Sequence, residues 1–240
     1  MQINTAAERR ASERRIFFIA AIVFGLLVFA GFARTYYLKF LFDSPPLASG
    51  LVHLHGIVMS AWVALFIGQV YLIRTGKVKV HMSLGLVGIA LAVIMVFVGI
   101  ATALAQAARG GTPLPEIPPL SFLVVPFFDI LTFAALFGGA IYYRKRAANH
   151  KRLMLLTVFA LLPAAVARLP FIPPEFNGPV WFFGSTDVLA LTCFGLDTWL
   201  NKKVNIVFAI GLFLLIASQP IRVIIAGTDA WLRFAAAITG

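Results

Sequence analysis

The chain has 240 residues, 61% of them apolar and only 12% charged. Soluble domains run nearer 45–50% apolar and about 25% charged, so a water-soluble globule and a disordered chain are both excluded. The net charge of +11 would suit a nucleic-acid binder, but the basic residues sit in short clusters between long apolar runs, with no basic stripe interleaved with aromatics. Nucleic acid is therefore not an expected partner. The lone Cys193 leaves no internal disulfide framework and no cysteine zinc cage.

About 20 apolar residues are needed to cross a bilayer as a helix. Runs of that kind predict spans over 16–37, 47–73, 82–107, 121–143, 153–169, 180–200 and 204–227. The joints carry Pro45-Pro46, then Gly110-Gly111 with Pro113 and Pro115, then Pro170 and Pro173-Pro174. Asp229–Thr239, with Trp231 and Phe234, reads as an amphipathic helix lying at the interface. The first run follows Glu13-Arg14-Arg15, lacks a small-residue cleavage site and is longer than a secretory core, so it reads as a retained signal-anchor.

The expected fold is an all-α polytopic bundle, a single transmembrane domain over 1–240. Its direction follows from charge. Alternate segments hold Arg9, Arg10, Arg14 and Arg15, then Arg74, Lys77 and Lys79. They continue with Arg144, Lys145, Arg146, Lys151 and Arg152, and finally Lys202 and Lys203. The intervening segments hold only Lys39, Arg109, Arg168 and Arg233, with Arg34 and Arg222 near outer helix ends. Basic loops stay in the cytoplasm, which predicts seven spans with the N-terminus inside and the C-terminus outside. A bacterial cytoplasmic membrane is the expected location and lipid the first expected partner.

Ionisable groups inside a membrane are costly, so each is a candidate site. At about 1.5 Å per residue, His53, His55, Asp129, Arg168, Asp187 and Arg222 fall into one outer layer. His55, Met59, Trp62, Phe66 and Gln69 share a helix face, as do His150, Met154, Thr157, Leu161, Ala164 and Arg168. His53 and His55, two apart, diverge. Two readings of the outer layer stand side by side. One is an interhelical brace, with Asp187 paired to Arg222 on the next helix and Asp129 nearest Arg168. The other is a pocket for a polar solute or ion.

The inner layer holds His81 and His150, which open helices running in the same direction. Two imidazoles at equal depth suit the axial positions of a single b-type haem, with Gln69 and Met154 beside them and basic residues near for the propionates. His55 is a further candidate metal ligand, and a quinone is a candidate redox partner. The plainer alternative makes His81 and His150 interfacial residues at loop ends.

His55-Gly56, Trp62, Phe66, Gln69, Val80-His81 with Leu84-Gly85, and His150-Lys151-Arg152-Leu153-Met154 resemble an uncharacterised family of bacterial polytopic membrane proteins. The likeness continues through Arg168, Asp187, Pro220, Arg222 and Trp231, and it implies a fold without implying an activity. A looser similarity runs to the ascorbate-type transmembrane dihaem cytochromes b, which place axial histidines on alternate helices; His81 and His150 match one such pair. HExxH, GxSxG and phosphate-loop motifs are absent, and no catalytic set is named. The leading expectation is an electron-transfer protein with one haem. Against it stand an accessory or assembly subunit of a larger membrane complex and a small-solute carrier through the outer layer.

Overall fold

The computed structural model describes residues 6–112, 116–173, 176 and 178–240. Among them the chain is helical throughout, with no strand. Pro113, Pro115 and Pro174 lie outside the described residues. α1 spans Ala6–Phe32 and continues as a π-turn over Ala33–Tyr37 and a 3-10 turn over Lys39–Leu41. α2 (Gly50–Arg74) and α3 (Val78–Ala108) form a tight hairpin. α4 (Pro119–Phe122) leads into α5 (Val124–Tyr142), α6 (Ala147–Val166), α7 (Pro179–Asn201), α8 (Ile206–Ile225) and α9 (Asp229–Thr239).

Local chemistry sets several of these boundaries. The Ser49 hydroxyl accepts from the Val52 N–H, Asn205 from Phe208 and Thr228 from Trp231, each satisfying an otherwise orphaned first-turn donor. Pro119 and Pro179 stand in the first turns of α4 and α7, where no backbone N–H is needed. In the π-turn, Leu38 N–H reaches back to the Ala33 carbonyl at 2.7 Å. The register shift turns Tyr36 and Tyr37 toward α2. Tyr36 packs against Gly56, where any Cβ would meet its ring at 2.4 Å.

Among the described residues, six helical segments are long and apolar enough to cross a membrane: Ala7–Tyr37, Gly50–Arg74, Val78–Ala108, Pro119–Tyr142, Pro179–Asn201 and Ile206–Ile225. Their outward faces carry exposed Leu26, Leu86, Phe97, Phe213 and Ile224, an exterior that water would reject and hydrocarbon accepts. The expected fifth span, 153–169, corresponds to α6, which starts earlier and takes in His150, Lys151 and Arg152. Those residues make its first turns polar, and α6 is not among the six. The packing offsets this. α6 is surrounded by α1, α5, α7 and α8, and Leu155 through Ala160 are buried without interruption. A helix wrapped in protein does not need an apolar belt on every face.

The main core joins α6 to Phe24 of α1, Trp62 and Phe66 of α2, Met95 of α3, Phe133 and Leu136 of α5, and Phe208 and Leu212 of α8. A second cluster forms at the far end of α3. There α9 lays Trp231 and Ala235 over Ala103, Ala107, Leu123 and Val124. The Trp231 indole donates to the Leu120 carbonyl at 2.8 Å, and its ring meets Phe127 edge-on.

Candidate functional site

At the end where α2 gives way to α3 and α5 to α6, two imidazoles come together. The His81 and His150 ring centres are 6.4 Å apart, with planes inclined at 76°. Both rings are half-buried. His150 Nδ1–H donates to the Ala140 carbonyl on α5 at 2.8 Å, which orients the ring and turns Nε2 away from that bond. With its amide nitrogen turned toward His81, Gln69 donates to His81 Nδ1 at 2.6 Å and accepts from the Gly85 N–H at 3.0 Å. Gln69 therefore joins the pair as its spacing on α2 suggested. Met154 lies one turn beyond His150, packed against the core.

His55 does not belong to this group. It precedes Gln69 by fourteen residues on one helix, about 20 Å along the axis, and its buried Nδ1 has no hydrogen-bond partner among the described residues. Among the described residues no three of His, Cys, Asp and Glu gather as metal ligands.

Beside the imidazoles lies an ionic network that sequence reasoning missed. Arg152 is 4% exposed and binds Asp197 of α7, Nε to Oδ2, at 2.8 Å. Its Nη2 reaches Glu13 of α1 at 3.4 Å, and its Nη1 donates to the Ala148 carbonyl. Lys151 holds the other Glu13 oxygen at 2.6 Å, while Asn201 donates to Glu13 at 2.9 Å. Two bases and two acids from three helices thus close on each other. The basic residues expected to meet propionates do not include Lys151 and Arg152, which are already paired. Arg74, Lys77, Lys79, Arg144, Lys145 and Arg146 remain exposed on the two adjoining turns.

In the outer layer the acids take separate partners. Arg222, 2% exposed, binds Asp129 of α5 through Nη1 and Ser218 through Nη2. The expected pairing of Asp187 with Arg222 is replaced by this one, and Arg168 is not the partner of Asp129. Asp187 accepts from Gln219 instead, at 2.8 Å. The reason is rotational. Residues three apart on α8 point about 60° from each other, so Gln219 faces α7 while Arg222 faces α5. Arg168 is exposed, donates to the Ala164 carbonyl and rests over Phe32. His53, also exposed, meets Tyr36, whose hydroxyl donates to the His53 carbonyl at 3.2 Å.

Glu13, Asp197 and Gln219 each had a signal in the sequence. Glu13 and Asp197 are acids facing basic segments, and Gln219 is a polar residue one turn before Arg222. None of these signals says which helix stands opposite. The helices and their buried polar groups define a polytopic integral membrane protein. No family model, curated protein or solved structure matches the chain.

Proposed function

We propose that this protein carries one b-type haem between His81 and His150 and passes electrons near the cytoplasmic face of a bacterial inner membrane. In this reading α6 is a seventh span, the N-terminus is cytoplasmic and the C-terminus is outside. The alternation of basic segments supports that orientation.

The observation that carries the reading is the separation of the imidazoles. Two metal–nitrogen bonds of about 2.0–2.1 Å, plus the reach from each nitrogen to its ring centre, sum to about 6 Å. The ring centres stand 6.4 Å apart. Two imidazoles alone fall short of the three or four protein ligands of a zinc site. They are the full protein share of a haem iron, whose macrocycle supplies the equatorial donors. His150 has its Nδ1 anchored in the manner of a metal-ligating histidine. Gln69 positions the His81 ring through Nδ1. When bound, the haem would supply one-electron redox chemistry. The protein's part is to hold the imidazoles and keep the cofactor beside an apolar core.

Reduced-minus-oxidised spectra of the purified, haem-supplied protein test this. A b-type signal in the native chain that disappears in both His81→Ala and His150→Ala is expected. No signal in the native chain, or one surviving both substitutions, would overturn the assignment. Gln69→Leu should keep the signal but shift its midpoint potential.

A further inference from the structure

At the end of the bundle opposite the imidazole pair, α1 and α6 finish and α2 begins. Two polar side chains that the haem reading does not use meet there. Close backbone approaches build the place. A Cβ at Gly31 would collide with the Ala165 carbonyl, so α1 and α6 touch main chain to main chain. One turn further along α1, the π-turn sets Tyr36 against Gly56 of α2 and leaves no room for a Cβ there. Phe32 lies between these two contacts in the chain. The Arg168 guanidinium, just past the end of α6, rests 5.0 Å from the centre of the Phe32 ring. His55, beside Gly56, lies close enough for the Arg168 charge to act on its imidazole.

Charge sets this pair apart. Lys151 and Arg152 hold Glu13 and Asp197, and Arg222 holds Asp129. Among the described residues Arg168 joins no ion pair, and no carboxylate acts on His55. Arg168 directs Nη1 to the Ala164 carbonyl, which leaves the rest of its planar fork open on an exposed side chain. His55 Nδ1 is enclosed without a partner. A proton there would be an orphaned buried donor, so the tautomer that avoids this cost carries it on Nε2. Donors from α2 and the end of α6 therefore stand together with no acid to receive them.

From this pairing of donors without an acceptor, we infer that His55 and Arg168 bind a phosphate group with three free oxygens, either inorganic phosphate or a terminal phosphomonoester. A carboxylate spends both oxygens on a guanidinium fork, whereas such a phosphate keeps a further oxygen for His55 Nε2. Arg168 supplies the charge and the open side by which the anion enters, and the Phe32 ring supports the guanidinium. The site is separate from His81 and His150 and does not depend on haem.

Equilibrium binding of radiolabelled inorganic phosphate to the intact protein in a maltoside detergent tests this. The native chain should bind one phosphate saturably, and acetate at equal concentration should not displace it. Arg168→Gln and His55→Leu should each weaken binding about tenfold, the worth of a hydrogen bond to a charged group. Arg109→Gln, at an exposed base on another turn, should change nothing. Arg168 is itself exposed, so its variant carries the test if His55→Leu loses native circular dichroism. Displacement by dioctanoyl phosphatidic acid at lower concentration than by glycerol phosphate assigns a lipid headgroup; the reverse order assigns a soluble phosphate. No saturable binding, equal displacement by acetate, equal weakening in Arg109→Gln, or unchanged affinity in Arg168→Gln or folded His55→Leu would each overturn the assignment.

Discussion

The two ends of the bundle handle buried charge in opposite ways. Beside the imidazoles, Glu13, Lys151, Arg152, Asp197 and Asn201 share hydrogen bonds across α1, α6 and α7, so each acid has more than one partner. At the other end Asp129 meets Arg222, which also holds Ser218 on its own helix, and Asp187 meets Gln219. The difference follows from where the polar residues can be reached. The network forms at helix ends, where long side chains from three helices converge. The couples sit within spans, where each charged group meets only the helix directly opposite and leaving it unpaired in hydrocarbon is costly.

Substitutions can break this contrast, and the largest effects come from removing one member of a buried pair. Arg152→Met and Asp129→Leu should each lower unfolding stability in detergent by about 3–5 kcal/mol, because each leaves an uncompensated buried charge. The second substitution separates the two ends. Arg222→Met added to Asp129→Leu should regain most of the loss, since the couple is then removed whole. Asp197→Leu added to Arg152→Met should regain much less, because Glu13 still lacks the guanidinium. Full recovery at both ends would show that the network is only a set of pairs. Gln219→Leu should cost about 1–3 kcal/mol by leaving Asp187 with an unmet acceptor, and it should add to Arg152→Met within about 0.5 kcal/mol. Lys151→Ala should cost least, about 0–1 kcal/mol, because that side chain is 32% exposed.

The helices were largely legible because apolar length and charge alternation are local properties. The inward stripe of α2 was legible too: Trp62 and Phe66 are buried, while His53, off the stripe, is exposed. The pairing of Lys151 and Arg152 was missed because they look like solvated basic residues until α1 and α7 supply Glu13 and Asp197. The gathering of His81 and His150 was readable as equal depth on parallel helices. Their 6.4 Å approach depends on the end of α5, whose Ala140 carbonyl orients one ring.

By itself, the sequence determined that this chain enters a membrane, which stretches become rods and which side of α2 turns inward. Each of these follows from the period of a helix and the cost of charge in hydrocarbon. Only the tertiary structure decided who meets whom. Arg222 and Asp187 share a depth, yet depth fixes one coordinate of three. The neighbour and the rotation about the helix axis come from packing, which sends Arg222 to α5, leaves Gln219 for α7 and encloses the charged start of α6 in protein.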